Sequence, residues 1–321
     1  MRRFVAVRIA HAVVVVFIVT TIAFFLIHSV PGDPFQTDNP RITQEIRDRL
    51  RAEFGYDRPV IEQYVRYVGN VARGELGFSH SLQIPVLTAL GGALKRTLAL
   101  MASALTLSFA LGIWLGVFEA RHAGRRSARV ANRMSLLLYS MPDFWVALML
   151  LLAFAYWIPL FPAGGMIDVV MHDYLSPMGK LWDYARHMAL PLLALTLVLT
   201  AYIARYQRAV LLDQMPSDYV RTARAKGADE SRVVRRHALR NALLPMITLA
   251  GLAFPMLLGG AVFVEKVFAW PGMGLMITTA IFARDYPLVI AGVIVGGVMV
   301  TLGSLLADIA YGLADPRIRV R

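Results

Sequence analysis

The chain has 321 residues, 57% of them hydrophobic and 17% charged, with a mean hydropathy of +0.57; this balance excludes an ordinary soluble domain and points to a membrane protein. It contains no cysteine, which excludes disulfides and thiol-held metals. Its formal net charge of +12 does not signal nucleic acid, because the basic residues are split among four segments that flank apolar runs.

Six apolar runs reach the length of about 18 residues needed to cross a ~30 Å hydrocarbon layer: residues 9–30, 97–118, 136–158, 187–204, 245–264 and 287–308. Each is expected to be a helix, since an isolated span must satisfy its own backbone hydrogen bonds in lipid. The first run follows Arg2, Arg3 and Arg8 as a signal peptide would, but it is too long for one. No small-x-small cleavage site follows it, so it reads as a retained anchor. His11 and His28 in this run read as packed or interfacial, with no further ligand-type residue at metal-binding spacing.

Residues 31–96 form the one large segment expected on the external side of the membrane. Ile42, Ile46 and Leu50 would line one face of a short helix that ends before Gly55. Pro59 suits the first position of a second helix, whose apolar stripe is Val60, Ile61, Tyr64, Val65 and Val68. Two amphipathic helices of this kind suit either a structural scaffold or a docking surface for an external partner.

In the third span, SMPDFW at 140–145 places Pro142 where it would kink the helix and Asp143 at the edge of the hydrocarbon. An ionisable group there is costly unless paired or facing water, so two readings are open. Asp143 lines a transport path, or it bonds neighbouring backbone or an arginine such as Arg133. The fifth span is broken up by Pro245 and Pro255 and thinned by Gly259 and Gly260. EKVFAWPGMG at 265–274 and a short apolar run at 276–283 follow. Such a chain reaches the surface and partly re-enters, which is tolerated where protein buries it or a cavity lies beside it. Glu265, Pro271 and Gly272, with Asp143, Pro255, Gly259 and Gly260, are therefore the expected path or gate residues. The pairs Gly112/Gly116 and Gly292/Gly296 have the spacing that lets helices approach closely.

Lys and Arg alternate in abundance from loop to loop. The N-terminus holds 3, residues 119–133 hold 5, residues 205–244 hold 9 and the C-terminus holds 3, outnumbering the acids there. On the opposite side, acids balance bases. The basic side, with both termini, is expected in the cytoplasm.

The longest basic loop contains RTARAKGADESRVVRRHALRNALLP at 221–245. Pro216 and Ser217 mark the start of a short helix over about 218–226, and Gly227 supplies the positive φ that ends it. Asp229 and Glu230 open a second helix, where the dipole favours acids. Its apolar stripe is Val234, Ala238, Leu239, Ala242 and Leu243, while Arg232, Arg236 and Arg240 stack on another face. Like charges at that spacing repel, and anionic lipid would compensate them. The helix–Gly–helix break needs a different explanation, namely a docking element at 218–228.

This pattern resembles the cytoplasmic loop of bacterial ABC importer permeases, in the longer form of the dipeptide/oligopeptide/nickel group. PGDP at 31–34, GELG at 74–77, PDFW at 142–145, LLGGAVFVEKVFAWPGMG at 257–274, RDYP at 284–287 and DPRIR at 315–319 match in order along nearly the whole chain. The segment after the first span is similar to that of the first, B-type, permease subunit. The generic loop motif begins Glu-Ala-Ala, where this chain has Arg221, Thr222 and Ala223, so no role of that Glu carries over.

The resemblance implies an all-α polytopic protein with six transmembrane helices. Both termini would be cytoplasmic, with a helical external segment after the first span and a coupling-helix loop between spans four and five. The divisions would be an anchor at 1–30, the external segment at 31–96, a permease core at 97–312 and a tail at 313–321. Residues Tyr219, Arg221, Thr222, Ala223, Ala225, Lys226, Gly227 and Ala228 would couple to an ATPase. Implied partners are a homologous second permease, two ATPase subunits and an extracytoplasmic peptide-binding protein, besides membrane lipids. The implied site is the bacterial inner membrane. No G-x-x-x-x-G-K-[ST] loop occurs, since Gly179-Lys180 is followed by Leu181, so ATP and Mg would bind the partner subunits and no cofactor this chain. The lack of HExxH and GxSxG motifs weighs against an enzyme, and the shortage of intramembrane charge against a gradient-driven transporter.

Overall fold

Long apolar runs satisfy their backbones internally, and helices dominate the computed structural model, which describes residues 2–29, 44–253 and 261–314. Four described helices are long and apolar enough to cross a membrane, or five if one bent pair counts as a span. Pro255, Gly259 and Gly260, with the PGDP and DPRIR motifs, lie outside the described residues. So does the middle of the expected fifth span, whose described parts are the helices Leu244–Ala253 and Val262–Val267.

The chain divides into two compact units, residues 1–95 with 272–301, and residues 96–271 with 302–321. In the first, α1 (Arg2–Ser29) is followed by α2 (Gln44–Phe54) and α3 (Val60–Ala72). Gly55 has φ +74, and Pro59 stands at the N-cap of α3, one residue before the helical position expected. The inward face of α3 is Tyr64, Tyr67 and Val71, packed with Val16 and Ile27 around buried Phe24, Ile290 and Ile294. Ile61 and Val65 of the expected stripe point outward. The rings win that face because they bury more area and can pair with Phe24, whose centroid lies 5.4 Å from Tyr64. His28 is packed as expected, its ring stacked on Phe24 at 4.0 Å, and His11 is exposed.

An antiparallel hairpin, β1 (Phe78–Ser79) and β2 (Ile84–Pro85), follows α3. Two-residue strands are weak, and a buried carboxylate holds this pair. Asp285 Oδ2 accepts from Ser79 Oγ at 2.6 Å, Ser81 Oγ at 2.7 Å and Ser81 N at 2.9 Å. Replacing Asp285 with Ala leaves these donors unanswered, at a cost of about 3 kcal/mol. Amide exchange at Ser81 and Leu82 is then expected to accelerate by about two orders of magnitude, with Asp285→Asn intermediate. Unit one ends with a short apolar helix (Met273–Phe282), where the sequence placed a run too short to cross, and the first part of the helix Tyr286–Ala314.

The second unit is built on α4 (Val86–Arg121) and α7 (Pro177–Gln214), both far longer than the apolar runs at their centres. Between them, α5 (Arg126–Ser140) and α6 (Asp143–Leu151) replace the single kinked span expected over 136–158. A π turn (Leu152–Trp157) prolongs α6, and the two parts meet at 103°. Pro142 is the reason. The residue before a proline is pushed out of the helical region, and Met141 has φ −86 and ψ 138.

Gly112 and Gly116 let α4 touch α7. A Cβ on Gly116 would lie 2.5 Å from Ala204 O, and one on Gly112 2.7 Å from Ile203 Cβ. Near the other end of α7, Leu190, Ala194 and Leu195 join Leu100, Met101, Ala147, Phe268 and Trp270 in the largest buried cluster.

Candidate functional site

Pro216 and Ser217 end α7's continuation and begin α8 (Asp218–Ala225) in the basic loop. Within it, Val220 and Ala223 fall three apart and both turn inward. They are buried with Leu211, Val233, Val234, Ala238 and Ala242, and Val117, Ala120, Met215 and Ala228 pack around them. This small core holds α8 against the ends of α4 and α7.

The expected coupling residues thus divide. Tyr219, Arg221, Thr222, Ala225, Lys226 and Gly227 are exposed on the far side, whereas Ala223 is buried and Ala228 half-buried against their own chain. Tyr219 Oη donates to Gln214 Oε1 at 2.7 Å, Thr222 Oγ1 donates to Asp218 O at 2.9 Å, and Arg221 pairs with Asp218.

The helix ends as a Schellman turn. Ala228 N donates to Ala223 O at 3.2 Å and Gly227 N to Arg224 O at 2.9 Å, with Gly227 at φ +80. A Cβ there would meet no atom within 4 Å, so conformation alone requires the glycine. Across the turn, Arg224 forks onto Glu230, Nε to Oε2 at 3.1 Å and Nη2 to Oε1 at 2.8 Å. That hydrogen-bonded guanidinium holds the Glu230 carboxyl below its ordinary range, although so exposed a pair adds little stability.

Asp229 caps the next helix, its Oδ2 accepting from Arg232 N at 3.1 Å. That helix is not regular. A π turn over Val233–Ala238 lies between α9 (Glu230–Arg232) and α10 (Leu239–Ala242). The extra residue in the turn brings Val233 into the core beside the expected Val234, Ala238 and Ala242, and leaves Leu239 and Leu243 half-buried. Arg232, Arg236 and Arg240 are exposed, as is Arg235.

Three features were not legible from spacing. The Arg224–Glu230 fork spans six residues and a turn, beyond the helical i+3 and i+4 rules. Glu119, near the end of α4, is buried and accepts from Ser135 Oγ at 2.8 Å, with Arg208 Nε 4.0 Å away. Val220 and Ala223, read as part of an outward-facing element, supply its anchor.

Of the expected path residues, Asp143 is half-buried in the first turn of α6 and accepts from Phe144 N at 2.8 Å, while the Phe144 ring lies 6.2 Å from Phe263. Glu265 is fully buried and accepts from Thr97 Oγ1 at 2.6 Å. Pro271 O accepts from Arg96 Nη1 at 3.3 Å, and Trp270 Nε1 donates to Arg96 O at 3.3 Å. Glu265 and Pro271 are thereby brought together on the first turns of α4 beyond Lys95. Gly272 is the buried N-cap of the Met273–Phe282 helix.

In the first unit, a cavity of about 340 Å³ is lined by Phe24, Tyr56, Arg66, Tyr67, Glu75 and His80, among others. Burial pushes the Tyr56 and Tyr67 hydroxyls above their ordinary range and the His80 imidazole below its own, so all three are neutral near pH 7.

Known proteins resemble this chain over nearly its whole length. Residues 108–320 match the family model described as "Binding-protein-dependent transport system inner membrane component", and residues 1–101 match that of its N-terminal region. A putative peptide permease of Brucella ovis is 40% identical over 307 residues, covering 94% of each chain. The dipeptide transport system permease of Escherichia coli K12 is 37% identical over 318 residues, and the oligopeptide transport system permease of Bacillus subtilis 35% over 302, each again covering 94% of both chains. Among solved structures, a chain of the methionine ABC transporter MetNI, in inward-facing conformations, aligns with a TM-score of 0.57 at 17% identity. The alignment covers 71% of this chain and 97% of that one, a likeness of fold. The chain belongs to the family of inner-membrane components of binding-protein-dependent transport systems.

Proposed function

We propose that the chain is one permease subunit of an ATP-driven importer of di- and oligopeptides in the bacterial inner membrane. A homologous permease completes the path, two ATPase subunits supply the energy and hold ATP and Mg, and an extracytoplasmic binding protein delivers the peptide. The reading includes six spans with both termini cytoplasmic. One observation carries it: a short helix with a glycine-dependent Schellman end, buried on one face against its own bundle and open on the other. That is the form a force-transmitting contact requires, with a fixed root and an accessible tip. Tyr219, Arg221, Thr222, Ala225, Lys226 and Gly227 form the tip that meets the ATPase, and Ala223 and Ala228 belong to the root. The relatives named above are peptide, dipeptide and oligopeptide permeases, which supports the peptide cargo.

The test is ATPase activity and uptake by the reconstituted complex, with its binding protein loaded in turn with dipeptide, longer peptide or nickel chelate. Peptide-loaded protein is expected to stimulate both. Uptake by this chain alone, driven by a proton gradient without ATP, would overturn the reading.

A further inference from the structure

Residues 156–182 connect α6 to α7 on the side opposite the basic loop, and they display a run of apolar side chains. Val169 is 90% exposed and Tyr174 85%, and Trp157, Val170, Trp182 and Tyr156 all exceed 60%. Exposed apolar surface of this extent marks an interaction site.

The tip is not a loose loop. Asp168 Oδ1 accepts from Val170 N at 2.9 Å and Met171 N at 3.0 Å, which turns Val169 and Val170 outward. Asp183 of α7 then holds both ends of the tip, accepting from Asp168 N at 3.0 Å and lying 2.7 Å from His172 Nδ1. Asp168 is the one charged residue between 156 and 171, and its carboxylate is turned onto the backbone. The exposed carboxylates of Asp168 and, beyond it, Asp173 keep one edge of the tip polar, as a position level with the headgroups requires.

The register of α7 sets its depth. No Lys, Arg, Asp or Glu occurs from His187 to Ala204, with Arg186 and Arg205 on either side. Eighteen residues at 1.5 Å each span about 27 Å, close to the ~30 Å hydrocarbon thickness. Asp183 stands four residues beyond that boundary, about 6 Å, and the headgroup layer extends roughly that far on each side. The tip that Asp183 holds is therefore level with the headgroups. Trp and Tyr concentrate at this depth because their rings are apolar at one end and hydrogen-bonding at the other. Trp157, Tyr174 and Trp182 supply such rings.

We infer that the 156–182 loop is an interfacial mooring, seated in the headgroup–acyl boundary of the bilayer by Val169, Val170 and Tyr174 with flanking tryptophans. The topology proposed above makes this the outer leaflet; the depth does not depend on that orientation, nor on the importer reading. The same loop donates Gly165 N to Phe268 O at 2.8 Å and packs Gly164 under that carbonyl. Lipid at the mooring thus holds the Phe268–Trp270 corner at a fixed height.

The absence of cysteine permits a direct test. Val170→Cys carries an environment-sensitive dye in the assembled transporter, with cysteine-free partner subunits, in phosphatidylethanolamine–phosphatidylglycerol nanodiscs. A nitroxide near the lipid headgroup is expected to quench the dye several-fold more than one at the acyl terminus, and aqueous iodide several-fold less than it quenches free dye. Iodide quenching equal to that of free dye would overturn the mooring in favour of water. Protection from every quencher would overturn it in favour of a protein partner. Tyr174→Cys repeats the measurement should the first variant fail to assemble.

Discussion

Gly227→Val is expected to reduce ATP-dependent uptake by about tenfold or more while the chain inserts and assembles normally. Gly227 has φ +80, where an L-residue pays about 1–2 kcal/mol and a β-branched one more. No neighbour blocks the new side chain, so the variant escapes only by giving up the turn. Losing it breaks the Ala228 N to Ala223 O and Gly227 N to Arg224 O bonds and pulls Ala228 from the small core. A penalty near 1.4 kcal/mol shifts the equilibrium between the native and the opened turn about tenfold, and the lost core contact of Ala228 adds to it, the source of the expected loss. Gly227→Asn, which tolerates the left-handed region, is expected to keep most of the activity. Parallel uptake and ATPase measurements in proteoliposomes check both variants. Equal transport by wild type and Gly227→Val would show that the turn is not needed for coupling.

Gly116→Val is expected to act on the fold itself. The added Cβ would lie 2.5 Å from Ala204 O and 2.9 Å from Gln207 Cβ. The nearest of these atoms is backbone, and no rotamer change moves it away. The helices must separate, at a cost of about 1–3 kcal/mol for overpacking, with lost contacts along α4 and α7 beyond it. Yield of detergent-stable protein is expected to fall severalfold, and the apparent melting midpoint with it. Gly296→Ala is the matched control, since a Cβ there meets nothing within 4 Å, and its yield and midpoint should equal wild type.

These two glycines show how much the sequence could disclose. Gly112/Gly116 and Gly292/Gly296 carry the same spacing, yet Gly116 is enclosed and Gly296 is open. Lipid and protein interior are equally apolar, so a hydrophobic helix does not announce which face meets which. The same limit applies to Ile61 and Val65, which look like a core stripe and point outward. Punctuation was far more legible. Gly55, Pro142, Ser217, Gly227 and Asp229 each act through backbone chemistry local to the residue, and each stands at an element boundary. In the candidate site, the α8–Gly227 break followed from such signals. Its buried root did not, because Val220 and Ala223 meet Leu211 and Val233 only after the chain has turned twice.

One helix carries both ends of the second unit. Leu195 of α7 belongs to the cluster around Phe268 and Trp270, and Leu211 to the core under α8. Sixteen residues separate them, about 24 Å of unbroken rod. Swinging such a rod through about 10° about one cluster sweeps the other roughly 4 Å sideways, more than a side-chain rotation achieves. A displacement of the core under α8 is therefore carried to the cluster around Phe268 and Trp270, with α7 as its crowbar.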